Sequence, residues 1–134
     1  MTDSGKPKFA MYWAASCGGC EISTLNIGVK ILDVDANFEV VFWPVAADFK
    51  YADVRAYPDG YIDLCLFNGA IRNSENEEIA KLLRQKSKVL VAFGSCAATG
   101  GIPGMANFTS PRTADPMMFI FLIMSMFIRR FSMK

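Results

Sequence analysis

Four short apolar runs, at residues 8–15, 38–45, 61–67 and 88–93, alternate with stretches of helical periodicity. That alternation leaves few ways to bury the apolar surface. Strands separated by helices pack as an α/β layer around a mainly parallel sheet. The fourth run, Lys-Val-Leu-Val-Ala-Phe, is almost wholly apolar, as a parallel strand covered on both faces should be. A helix is expected over residues 21–34, burying Ile22, Leu25, Val29 and Leu32 on one face. Another is expected over 75–86, capped by Ser74 with Glu77 completing a capping box and burying Ile79, Leu82 and Leu83. Glu77 and Lys81 are spaced to pair across one turn of it. A short helix within 48–56 and a turn at Pro58-Asp59-Gly60 complete the order.

In such folds ligands sit beyond the carboxyl ends of the strands. Two cysteine-bearing loops fall there. Cys17-Gly18-Gly19-Cys20 follows the first run, and Gly94 to Gly101, which contains Cys96, follows the fourth. Loops that follow parallel strands can converge although they lie far apart in the chain. Cys17 and Cys20 have the spacing with which two thiolates grip one metal centre. The same spacing serves a dithiol redox pair at a helix N-terminus, half of a zinc site, or two inert cysteines. A third cysteine in a second glycine-rich loop shifts the balance to a metal cluster, because a dithiol pair needs neither. The loop at Gly94 lacks both the Gly-Lys-Ser/Thr and the G-x-G-x-x-G spacing of a phosphate cradle.

Composition closes other routes. The chain has 134 residues, 52% of them hydrophobic, enough for one domain with a core. It contains no histidine, which excludes Ser-His and Cys-His dyads, imidazole-ligated metals and a nucleophilic Cys96 activated by histidine. A net charge of +1 argues against a nucleic-acid partner. Nothing at the N-terminus resembles a secretory signal, so a cytoplasmic, reducing location is expected. Cys65, between Leu64 and Leu66, reads as a buried structural cysteine. Glu21 opens the first helix, where a carboxylate favours the helix dipole; a proton relay beside a cluster is the sharper alternative.

Several spaced motifs point further: Trp13-Ala-Ala-Ser-Cys-Gly-Gly-Cys-Glu21, Phe42-Trp43-Pro44, Phe67-Asn-Gly-Ala-Ile71 and Gly94-Ser-Cys-Ala-Ala-Thr-Gly-Gly-Ile-Pro-Gly104. Together, over residues 6–109, they resemble the small subunit of nickel–iron hydrogenases, closest to the methyl-viologen-reducing type linked to heterodisulfide reductase. The chain is also similar to the 20 kDa subunit of NADH:ubiquinone oxidoreductase. Members of that branch carry adjacent cysteines, so the hydrogenase reading is preferred. The resemblance implies a flavodoxin-like, doubly wound domain that holds a proximal 4Fe–4S cluster. Cys17, Cys20 and Cys96 match three of its ligands. It implies an electron-transfer role beside a large subunit that holds the nickel–iron site, and an electron-accepting iron–sulfur or heterodisulfide reductase-type subunit. The backbones of Gly18, Gly19 and Ser95 would donate hydrogen bonds to cluster sulfur. A stand-alone dithiol oxidoreductase and an inert fragment of such a subunit are the competing readings.

The family's fourth cluster cysteine sits in a later Gly-Cys-Pro loop, and no cysteine follows Cys96 here. Texture also changes after residue 109. Residues 110–134 carry a net charge of +3 against −2 for the rest, and they hold five of the eight methionines. Their apolar run, residues 117–128, is shorter than the roughly 20 residues that span a membrane. This tail reads as an atypical hydrophobic segment from an out-of-frame or prematurely ended reading of a longer gene.

Overall fold

A computed structural model describes residues 5–109 of the chain. The expected domain at 6–109 falls within that range, and the expected tail at 110–134 lies outside the described residues.

The apolar runs form the strands β1 (Lys8–Trp13), β2 (Glu39–Phe42), β3 (Ile62–Asn68) and β4 (Ser87–Phe93). All pairings are parallel, in the order β2-β1-β3-β4. This is the mainly parallel α/β sheet that the alternation predicts. The chain first winds outward from β1 to β2, then returns to place β3 on the other side of β1. That reversal makes the β1/β3 boundary a topological switch point, where the loops beyond the strand ends diverge and leave a crevice.

Alternating residues fill two unequal layers. On one face, Ala10, Tyr12, Phe67 and Leu90 pack with Ile79 and Leu83 of α4 (Ser74–Lys86) and Val54 of α3 (Tyr51–Ala56). Cys65 lies in this layer, fully buried, as expected of a structural cysteine. Burial pushes its thiol up to about 12, so it stays neutral and unreactive. Leu82, expected to be buried, is half-buried against the same layer. On the opposite face Phe9, Met11 and Trp43 form a smaller cluster with Ile31, Phe38 and Leu64 beside it.

The helix expected over 21–34 is broken. It becomes α1 (Gly19–Leu25), a 3-10 turn (Gly28–Lys30) and α2 (Ile31–Asn37). Gly28 adopts φ +65, which an α-helix does not accommodate, so the apolar positions no longer share one face. Ile22, Leu25, Val29 and Leu32 are exposed rather than buried, Val29 to 83%. Other differences are local. β1 and β2 are shorter than the runs at 8–15 and 38–45, and β2 ends before Trp43-Pro44, since proline offers the ladder no N–H. α4 is capped one residue earlier than expected. Asn73 is extended, and its Oδ1 accepts from the Asn76 N–H at 2.8 Å, with Ser74 as the first helical residue. The Glu77–Lys81 ion pair forms as the spacing predicts. Beyond β4 the expected loop folds into α5 (Ser95–Thr99) and α6 (Gly101–Gly104), and α7 (Ala106–Thr109) follows. Among the described residues no helix is long and apolar enough to cross a membrane.

Candidate metal centre

The three sequence-selected cysteines lie on loops and helix starts beyond the C-terminal ends of β1 and β4, with the end of β3 between them. Past Trp13 the chain leaves β1 and is tied to the segment after β3. Ala14 N–H donates to Asn68 O at 2.7 Å, and Ala15 and Ala70 exchange both backbone hydrogen bonds at 3.1 and 2.9 Å. This close approach requires Gly69. It has φ +99, and a Cβ there would sit 2.8 Å from the Ala14 carbonyl carbon. Ser16 Oγ then accepts from Gly18 N–H at 3.1 Å, and Cys17 Sγ lies 3.5 Å from the Gly19 nitrogen that donates to it. The turn thus places Cys17 outside α1 and Cys20 within its first turn.

Cys20 packs against the second cysteine loop. Gly94 has φ +87, and a Cβ on it would collide with Cys20 Sγ. Only a glycine lets the chain leave β4 at this point and start α5 with the thiol so close. Cys96 lies in the first turn of α5 and is 8% exposed. Its sulfur in turn abuts Gly101, where a Cβ would come within 2.9 Å. Cys17 is exposed on the rim of a cleft of about 570 Å³ lined also by Trp13, Ser16, Arg72, Ile102 and Pro103. Ile102 and Pro103 belong to α6, so the first cysteine loop faces the turn that follows the helix of Cys96. Arg72 is the charged residue of the lining, and its positive charge favours an anionic occupant.

The structure therefore brings Cys20 and the Cys96 loop into contact and sets Cys17 at the edge of the adjoining cleft. Among the described residues no three Cys, Asp or Glu side chains converge tightly enough to grip a single metal ion. Thiolates of an iron–sulfur cluster bind separate iron atoms and need no such convergence.

Two buried polar groups surround the site. Glu21 stands in the first turn of α1, but its side chain is buried rather than turned to solvent. It is 1% exposed, and its Oε1 accepts a hydrogen bond from Trp43 Nε1 at the end of β2. Burial raises its pKa above the ordinary carboxylate value, and the Trp43 hydrogen bond offsets part of that rise. Asn68, the last residue of β3, is fully buried, and among the described residues neither Nδ2 nor Oδ1 has a hydrogen-bond partner. Asn68 carries no signal of its own in the sequence, because a polar residue ending an apolar strand reads as the start of a loop.

The sequence profile of the NADH ubiquinone oxidoreductase 20 kDa subunit family matches residues 17–123, from the first cysteine onward. The chain belongs to this family. Among curated relatives it is 50% identical over 101 residues to an F420-non-reducing hydrogenase iron-sulfur subunit of Archaeoglobus profundus, a match covering 75% of this chain and 32% of that one. It is 43% identical over 100 residues to a vhu-type F420-non-reducing hydrogenase subunit of Methanocaldococcus jannaschii, covering 75% of this chain and 33% of that one. The chain thus spans about a third of the length of these relatives. A chain of the crystal structure of an NAD+-reducing [NiFe]-hydrogenase in its H2-reduced state superposes with a TM-score of 0.68 at 23% identity. That superposition covers 87% of this chain and 72% of the other, and it bears out the expected fold.

For a member of the 20 kDa-subunit family, the donor set can be tested against an iron–sulfur cluster. Three thiols come from two loops at one sheet end, the chain has no imidazole, and glycine backbones lie against two of the sulfurs. The Asn68 amide, unpartnered among the described residues, borders the Gly94 position that Cys20 Sγ crowds. These features fit three corners of such a cluster. A zinc site with imidazole ligands is not open to this sequence.

Proposed function

We propose that this chain is the cluster-holding part of an electron-transfer subunit of a nickel–iron hydrogenase, with Cys17, Cys20 and Cys96 as three ligands of a 4Fe–4S cluster. The contact of Cys20 Sγ with Gly94, the residue between the end of β4 and the helix of Cys96, is the observation that carries the reading. It joins two motifs otherwise separated by most of the domain. Subunit names among the curated relatives support the hydrogenase assignment.

When bound, the cluster supplies a one-electron store. The chain's own residues do the rest. Cys17, Cys20 and Cys96 would anchor it as thiolates. The Gly19 N–H already directed at Cys17 Sγ would stabilise negative charge on sulfur. Arg72 would balance the anionic site from the cleft wall. The β1–β3 backbone bridge at Ala15 and Ala70 would hold the first cysteine loop at a fixed height above the sheet. In this reading the partner is a large subunit that splits hydrogen, and electrons leave through an iron–sulfur or heterodisulfide reductase-type subunit.

The dithiol oxidoreductase reading needs Cys17 and Cys20 to act on an outside disulfide. Cys20 is instead packed on the second cysteine loop, which disfavours it. The test is anaerobic reconstitution of the chain with its large subunit, ferrous iron and sulfide, followed by iron analysis and electron paramagnetic resonance. A cluster signal that disappears in Cys96→Ser is expected. Absence of bound iron, together with insulin reduction that depends on Cys17 and ignores Cys96, would overturn the proposal.

A further inference from the structure

We infer that Asn68 is a positioning residue for the cluster: its buried side-chain amide donates an N–H to sulfur at the Cys20 corner and so raises the cluster's reduction potential. The inference rests on the cluster reading above and adds a residue to it.

Asn68 neighbours both cysteine loops through the sheet. It pairs in register with Trp13 of β1 and with Phe93 of β4, the strands that feed Cys17 and Cys96. Its carbonyl accepts from Ala14 N–H, so the backbone is fixed by the ladder and the bridge that continues it. The side chain takes no part in that fixing. Its Oδ1 lies 4.0 Å from the place a Cβ on Gly94 would take, a place that Cys20 Sγ already crowds. The amide group therefore borders the space where the thiol of Cys20 meets the second loop.

The fold handles its other buried amide differently. Asn76, 9% exposed, accepts from Arg72 N–H and donates to Tyr12 Oη. Asn68 is more deeply buried than Asn76, yet among the described residues both of its polar atoms lack partners. Folding alone gives no reason for an amide here, since an apolar side chain of the same size would leave nothing unsatisfied. An electron-rich acceptor beside it supplies the reason. An amide carries two N–H donors and turns about its terminal bond to present them. A donor to cluster sulfur stabilises the reduced state, which carries the extra negative charge, and so raises the potential.

The experiment uses the full chain assembled with its partner subunits and loaded with its cluster under anaerobic conditions. Iron and labile sulfide are counted, and the midpoint potential is read by resonance-monitored redox titration. Asn68→Leu is expected to keep its iron and to titrate at a lower potential. A tenfold loss in the reduced-to-oxidised ratio at fixed poise corresponds to about 59 mV for one electron. Asn68→Asp, which keeps the size, removes the donor and adds a negative charge, is expected to fall at least as far. It reads the same quantity if the leucine variant does not assemble. Unmoved potentials in cluster-loaded variants overturn the role of Asn68 and leave the cluster reading standing. An unaltered chain that holds no iron beside its partners overturns both.

Discussion

Trp43 carries a contact that depends on a single atom. Its indole N–H donates to the buried carboxyl of Glu21, which ties the first turn of α1 to the end of β2. Trp43→Phe keeps much of the ring's packing and removes the donor. Leaving a buried acceptor without its donor costs about 1–3 kcal/mol, so a loss of about that size is expected in urea unfolding of the chain. Asp63 gives a pH-dependent counterpart. It accepts from Lys88 Nζ at 2.6 Å and from Lys8 N–H at 2.7 Å, and these contacts hold its pKa below the ordinary 3.8. A depressed folded-state pKa contributes stability that is fully present above the unfolded value and fades as pH falls through the folded one. The stability gap between the unaltered chain and Asp63→Asn is therefore expected to be constant from neutral pH down to about 5 and to shrink below about 4. Urea titrations at a series of pH values measure it. At this scale the cysteines were legible because spacing is local. The Glu21–Trp43 pair and the buried Asn68 were not. Each depends on a residue from another strand, and no periodicity links positions 21 and 43.

Among the elements, the strand positions and α4 follow their sequence signals, but β4, read as covered on both faces, is an edge strand with Val89 exposed, and the segment after Cys20 departs further. Apolar residues at 22, 25, 29 and 32 satisfy the helical repeat, and periodicity alone extends one helix through all of them. Gly28 in a left-handed conformation overrides that repeat, a backbone preference that a count of apolar positions does not see. Asn73 and Ser74 are both good caps, and Asn73 takes the role: its Oδ1 accepts from the Asn76 backbone N–H, while Asn76 Oδ1 accepts from the Arg72 N–H. Gly69 matters for how the elements join. Gly69→Ala places a methyl against the backbone of Ala14 and Ala15 at a φ that disfavours any side chain. Backbone there cannot yield as a flexible side chain would. The expected outcome is a loss of about 2 kcal/mol or more, together with faster amide exchange at Ala15 and Ala70, read by hydrogen-exchange mass spectrometry.

For the molecule as a whole, the parallel order β2-β1-β3-β4 is decisive. Alternation of strands and helices made the fold class legible, and the rule that ligands gather at strand ends located the cysteine loops correctly. Strand order itself is not written in any local pattern. It alone puts the end of β3 between the two loops and makes Asn68 and Gly69 their common support. Cys65 is separated from the other cysteines by the same topology, since it lies in the core at the middle of β3. That contrast offers the most direct test of the central claim that Cys17, Cys20 and Cys96 hold one cluster. Mössbauer spectra of the iron-57-loaded chain beside its large subunit should compare the unaltered protein with Cys17→Ser, Cys20→Ser, Cys96→Ser and Cys65→Ser. Loss or conversion of the same cluster signal in the first three, with Cys65→Ser unchanged, is the predicted result. A Cys96→Ser protein whose spectrum and iron content match the unaltered chain would contradict it.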